Sequence, residues 1–342
     1  MAKRSEHPRG AQRPSAAPRQ DNAEALYQRA IGQLEAGKLD DGVQLLKKAI
    51  SLRPDFVDAY GSLAVAYMHL DKWEDAAATL EYLLRLDPKD PVTHNLLSSA
   101  YVEMERLDDA IALLNQSLTL APDDPEVYLE LAGLYAETDQ WEAALASAQK
   151  AISLLPDDPD AQWLLAGLLY HDEQVDAAIR ACKRALELQP EHAEAALLLA
   201  TALLDQGRFK ESLDAGRRAI KINADDPRPH EIAGAALVGL EKFEEARKAA
   251  QTALAMDPNS GDAYGVLGQA LMGEMQLDKA AEAFQHAVDI DPDNAMAYFG
   301  LGLTYAAADK VSEARKQLAI LREREEDELA DQLQAAIKMV EE

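Results

Sequence analysis

From Ala23 onward, apolar and small residues fall three and four positions apart in short segments divided by polar turns. That spacing puts them on one face of a helix. The segments themselves recur every 34 residues. Prolines 54, 88, 122, 156, 190, 258 and 292 mark the period, and Ala224 stands at the position where a proline is missing. Each marker follows an apolar residue by two positions, at Leu52, Leu86, Leu120, Leu154, Leu188, Ile222, Met256 and Ile290. Nine repeats therefore run without insertion over 23–328, starting at 23, 57, 91, 125, 159, 193, 227, 261 and 295. A period held so long is the signature of a solenoid.

Within a repeat, the seventh, eighth and eleventh positions form one stripe, as in Leu63, Ala64 and Tyr67 or Leu131, Ala132 and Tyr135. The eighth residue is always small (Ala30, Ala64, Ser98, Ala132, Ala166, Ala200, Gly234, Gly268, Gly302), which admits a second helix closely. That second helix opens on an apolar anchor such as Trp73, Trp141, Phe209 or Phe243, with a small residue three positions on. Polar turns such as Gly37-Lys38 and Gly207-Arg208 join the two helices. Each repeat is thus an antiparallel helix pair whose stripe finds no partner until the next pair stacks on it.

The 34-residue period, with Tyr60, Leu63-Ala64, Tyr67, Ala76, Leu80 and Pro88, resembles the tetratricopeptide repeat (TPR) family. Tyr298, Leu301-Gly302, Tyr305 and Ala314 repeat the motif at the far end. The resemblance covers 23–328 and implies an all-α fold, a right-handed α-solenoid of nine tandem helix-turn-helix TPR units with a C-terminal capping helix. The cap is expected from Leu318, Leu321, Leu329, Leu333, Ala336, Ile337 and Val340, a stripe under a charged face, with 329–342 as its C-terminal part. Arg29 and Gln33 replace stripe residues in the first repeat, as suits an end with one face in water. Gly216 and Ala224 depart from the pattern in the sixth repeat and point to looser packing of repeats six and seven.

Composition narrows the function classes. Of 342 residues, 61 are acidic and 34 are Lys or Arg, for a net charge of −27, which opposes binding to nucleic acid or an anionic membrane. The charge is uneven. Residues 1–22 carry Lys3, Arg4, Arg9, Arg13 and Arg19 against Glu6 and Asp21, and with prolines at 8, 14 and 18 they read as a disordered basic tail. The tail has no apolar core of a secretory signal, and no run approaches the roughly 18 apolar residues of a membrane span, so a cytoplasmic location without membrane insertion is expected.

Nothing in the sequence assembles a catalytic or metal centre. The seven histidines show no metal-binding spacing; His69 and His171 share a repeat position but lie three repeats apart. Cys182, the single cysteine, sits at a packing position of a second helix. The acidic turns DPKD, APDD, LPDD and DPDN read as helix N-caps rather than calcium loops. No catalytic residue, cofactor or metal is expected, and the protein reads as a non-enzyme.

The resemblance places ligand contacts on the first helices, at the second, fifth, ninth, twelfth and thirteenth positions. Of these, the fifth, ninth and twelfth share one helix face, and the large apolar residues read there are Tyr27, Ile31, Leu34, Val65, Met68, Leu129, Trp163, Tyr170, Leu197, Leu204, Val238, Met272, Phe299 and Leu303. The second positions are mainly acidic and form a rim, Glu24, Asp58, Glu126, Asp160, Glu194 and Asp262, with Arg228 of opposite charge. Family members that grip a C-terminal carboxylate need Lys at the fifth position and Asn at the ninth. Here the fifth positions include Gly61, Trp163, Glu231 and Gly265 but no lysine, and no ninth position is asparagine. An apolar groove rimmed by carboxylates suits a protein partner, a peptide or helix with apolar anchors and basic flanks. The expected role is an interaction scaffold or assembly factor. Self-association as a structural repeat protein, or service as the regulatory subunit of an enzyme on another chain, are the alternatives.

Overall fold

The computed structural model describes the chain from Ala17 to Glu341, with side chains from Asn22. It falls into two compact bodies, one ending at Leu154 and the other beginning at Leu155. The first contains α1 (Ala17–Glu35), α2 (Leu39–Leu52), α3 (Val57–Met68), α4 (Trp73–Leu86), α5 (Pro91–Glu103), α6 (Leu107–Leu120), α7 (Pro125–Glu137) and α8 (Trp141–Leu154). The second opens with α9 (Pro159–His171), α10 (Val175–Leu188), α11 (Ala193–Asp205), α12 (Phe209–Ile222), α13 (Arg228–Gly239) and α14 (Phe243–Met256). It continues with α15 (Gly261–Gly273), α16 (Leu277–Ile290), α17 (Ala295–Ala307), α18 (Val311–Glu323) and α19 (Asp327–Glu341). Among the described residues every element is a helix, and within each body odd and even helices pair and stack in chain order. The fold is an all-α solenoid of tandem repeats.

The segment read as a basic tail, 1–22, lies outside the described residues as far as 16, but α1 already begins at Ala17. Pro18 does not prevent this, because a proline in the first helical turn forfeits no intrahelical hydrogen bond.

Two local devices repeat along the chain. The residue at position 15 of each repeat is left-handed: Gly37, Asp71, Glu105, Asp139, Glu173, Gly207, Glu241, Met275 and Asp309, with φ between 54° and 73°. The next backbone N–H then reaches back five residues, as in Lys72 to the Tyr67 carbonyl at 2.9 Å and Lys310 to Tyr305 at 2.8 Å. That bond closes the first helix and turns the chain toward the second. At the other boundary Asp90, Asp124, Asp158 and Asn294 accept backbone N–H bonds from the first turns of α5, α7, α9 and α17. The acidic turns are N-caps, as their sequence indicates.

Small residues set how closely helices approach. Ala30, Ala64, Ala132, Ala166 and Ala200 are wholly buried, and the Ser98 and Ser212 hydroxyls donate across the helix pair to the Ala110 and Ala200 carbonyls. The aromatic anchors of the second helices seat on glycines of the following repeat: Phe209 on Gly239 and Phe243 on Gly273. Gly216 differs: α12 approaches Pro229 and Ala233 of α13 there, but not so closely that a glycine is required. A Cβ there would stand 3.5 Å from the Ala233 Cβ and from the Pro229 carbonyl oxygen, ordinary contact distances. Gly216→Ala is therefore expected to raise stability by about 0.5–1 kcal/mol through the lost helix penalty of glycine. A denaturation midpoint below wild type would contradict this.

The sequence joins Leu318 and Leu321 to the cap as one stripe; the chain instead breaks at Glu325, whose φ is 62°. Leu318 and Leu321 thus belong to α18, while α19 folds back on α17 and α18 and buries Ala330, Leu333 and Ile337. Val340, counted in the stripe, is 40% exposed near the end of the helix.

Candidate functional site

In the second body, α9 touches α11, α11 touches α13, α13 touches α15 and α15 touches α17, whereas successive even-numbered helices make no comparable contact. The odd helices therefore line its tighter, inner side. The fifth and ninth positions face that side, and their small members decide its relief.

A concavity of about 480 Å³ opens there over α11, α13, α15 and the start of α17. Its floor and apolar walls are Leu204, Ile232, Val266, Phe284 and Met296; Asp205, Glu231, Asp262, Gln269 and Asn294 supply polar groups. The hollow exists because Ala235 and Gly265 present almost no side chain, and a Cβ at Gly265 would meet nothing within 4 Å. Met296, 54% exposed, forms an apolar step at its edge.

Glu231 is held in place by its neighbour. The Ser260 hydroxyl caps α15 by accepting from the Ala263 N–H at 3.0 Å and donates its own proton to Glu231 Oε1 at 2.6 Å. Burial pushes the Glu231 carboxyl above its usual range, partly offset by the Ser260 hydrogen bond, while Asp262, Asp257 and Asp226 push it further upward. Tyr170 donates its hydroxyl to Asp205, and burial together with that carboxylate pushes the phenol up to about 12.

The rim carboxylates divide into two sets. Glu24 pairs with Arg53 at 3.3 Å, Asp160 lies 3.2 Å from His192 Nε2, and Glu194 pairs with Arg228 at 3.1 Å. Asp58, Glu126 and Asp262 form no ion pair among the described residues, and neither do Glu231 and Asp205.

The apolar set read from the sequence is less exposed than a free groove would be. Val65 is exposed at 37%, and the other thirteen are half-buried. Tyr27, Leu34, Met68, Leu204, Val238, Met272, Phe299 and Leu303 all pack against buried cores. Leu34, for example, lies where a Cβ on Gly42 would stand. Large residues at these positions serve neighbouring repeats as well as the inner face. Trp163 is half-buried beside His192, with ring centroids 5.8 Å apart, while His192 Nδ1 caps α11 by accepting from Ala195 N–H.

Of the residues read from the sequence, the concavity brings together Leu204 and Asp262, with Tyr170 joined through Asp205. Glu231, Ala235 and Gly265 escape a search for bulk at the groove positions, and Met296 escapes because it lies at a second position, where the pattern is mainly acidic. The available signal was the opposite: consecutive small residues at the fifth and ninth positions beside an unmatched glutamate.

Other chemistry is sparse. Cys182 is wholly buried, and its thiol is pushed up to about 12 by desolvation. Among the described residues, no group of three or more His, Cys, Asp or Glu is placed to hold a metal ion, and no helix is long and apolar enough to cross a membrane.

This architecture agrees with the sequence comparisons. A family model described as the C-terminal domain of cilia and flagella-associated protein 70, a TPR module, matches residues 89–297. A tetratricopeptide repeat model matches 33–100 and 271–337. The chain belongs to the tetratricopeptide repeat family, whose fold generally mediates protein–protein interaction or assembly.

Three solved structures illustrate the likeness. The C-terminal part of a TPR repeat-containing protein from Cytophaga hutchinsonii aligns with TM-score 0.60 at 16% identity, over 70% of this chain and 99% of that one. A chain of the APC/C hetero-tetramer Cut9-Hcn1 aligns with TM-score 0.56 at 14% identity, over 78% of this chain and 52% of that one. The pilF protein of Pseudomonas aeruginosa aligns with TM-score 0.53 at 19% identity, over 63% and 97%. At these identities the likeness is one of fold. No curated relative matches the chain.

Proposed function

We propose that the protein is a non-catalytic interaction scaffold or assembly factor that holds a segment of a protein partner along the inner, odd-helix side of its second body. The observation that carries this reading is the concavity over Gly265, an open hollow with an apolar floor on a rigid helical frame. Rigid repeats bind by preorganisation: only the partner segment must become ordered, which reduces the entropic cost of association. Leu204 and Met296 supply apolar contact, and the unpaired carboxylates favour a partner with basic flanks. Trp163 and Tyr170, in the same body, extend the contact as aromatic anchors.

Gly265→Trp fills the hollow without meeting any atom within 4 Å at its Cβ, so the helix is expected to persist. Affinity capture from native cells with the wild-type chain is expected to yield partners that this variant loses, while circular dichroism remains unchanged. An identical set of captured proteins would sink the reading.

A further inference from the structure

The rim carboxylates differ in whether a cation of the fold answers them, and of those left unpaired Asp262 lines the concavity while Asp58 and Glu126 do not. Glu24 and Glu194 each have an arginine within the fold, so their charge is already answered. Among the described residues Glu231 and Asp262 have none, although both line the hollow. Glu231 is also the more shielded from water, being half-buried where Asp262 is exposed. Desolvating a carboxylate without a cation is costly, and a cation brought against it in that setting interacts more strongly than at an open surface.

Geometry fixes what kind of cation fits. The opening above Gly265 encloses about 480 Å³ and is lined by apolar groups, including the buried Phe284 ring. A lysine or arginine matches this combination because its hydrocarbon stem lies on apolar surface while its charged end reaches a carboxylate. Glu231 does not have to search for the cation, since the Ser260 hydroxyl already fixes one of its oxygens. A small inorganic cation would leave the apolar floor unused. A second copy of this strongly acidic chain would bring mostly like charge.

We propose that the hollow over Gly265 is a docking subsite for one arginine or lysine side chain of a partner segment. Glu231 and Asp262 are its anionic partners, and an apolar residue close by in the same segment rests against Met296. The proposal depends on the inner side being a binding surface, and it assigns the feature of the partner that surface selects.

The probe is a random peptide library displayed on phage and selected against the full-length protein. Recovered peptides are synthesised with a fluorescent label and titrated against wild type, Glu231→Gln and Gly265→Trp. Selected peptides are expected to share a basic residue near an aliphatic one. Replacing that arginine by citrulline, or that lysine by acetyl-lysine, is expected to weaken binding to wild type by about tenfold or more, the scale of a charge-assisted contact. Glu231→Gln is expected to weaken binding of the basic peptide comparably and to be indifferent to the neutral one. Glutamine retains the acceptor for Ser260, so a stability loss is not built into that variant.

Failure has distinguishable forms. If wild type selects no peptide, the binding-surface reading falls and this assignment with it. If Gly265→Trp abolishes binding but Glu231→Gln and charge removal do not, the surface stands and the basic-side-chain assignment is overturned. Peptides indifferent to Gly265→Trp would place docking elsewhere and also overturn it. Concentration-dependent association of the full chain that disappears in Glu231→Gln would assign the hollow to a second copy, again against the proposal.

Discussion

Phe284→Ala is expected to lower the unfolding free energy of the second body by about 3–5 kcal/mol, the range for removing a buried phenylalanine. The ring is 2% exposed and is wedged between two first helices. A Cβ added to Gly268 would stand 2.8 Å from it, and one added to Gly300 only 2.4 Å. Both helices are therefore shaped around the aromatic ring, and their backbones cannot close the gap without repacking α15 against α17. Leu301 and the stem of Met272 would lose their contact at the same time. In a tandem array each repeat meets only its neighbours, so the loss should appear first as local opening of repeats eight and nine. Hydrogen exchange across α15–α17, followed with the denaturation midpoint, would show it. A change under about 1 kcal/mol, with unaltered exchange, would mean that the glycine-lined slot relaxes around the missing ring.

The same ring is part of the floor of the candidate site, so core packing and surface relief are not separate in this fold. One of its glycine seats, Gly268, was visible in the sequence as a small eighth-position residue; Gly300, at a sixth position, carried no such sign. Asp90, Asp124, Asp158 and Asn294 were equally legible as caps, because their hydrogen bonds are made within three residues. The left-handed turn was legible at Gly37 and Gly207. At Glu105 or Met275 it was not, since residue type there gives no sign of a positive φ. The groove was hardest to read. Leu34, Met272 and Phe299 lie at the expected register, yet contacts from other helices draw them into the core. The hollow itself is made by side chains that are absent at Ala235 and Gly265. Periodicity locates a position on a helix face; it does not say how much of that position its neighbours will claim.

Leu333→Asp is expected to destabilise the C-terminal end by at least about 3 kcal/mol, since it removes a buried leucine and places a carboxylate in apolar surroundings. Leu333 is wholly buried, and its side chain occupies the space beside Gly302, where a Cβ would approach its Cδ2 within 2.5 Å. Through this contact α19 covers the last helix pair; Leu321 and Ile337 lie in the same core. With aspartate inserted, α19 should detach and leave that core open to water, because a terminal repeat has no further neighbour to shield it. Val340→Asp provides the comparison, as Val340 is 40% exposed and should tolerate the charge. Hydrogen exchange in α17 and α18 should accelerate in the first variant and not in the second. Sedimentation should then reveal concentration-dependent association of Leu333→Asp alone, driven by the uncovered apolar surface. If both variants keep wild-type exchange and sedimentation, α19 is not the cap its buried stripe implies. If wild type itself associates and Leu333→Asp abolishes it, α19 is an assembly surface, and the self-association reading regains the ground now given to the scaffold.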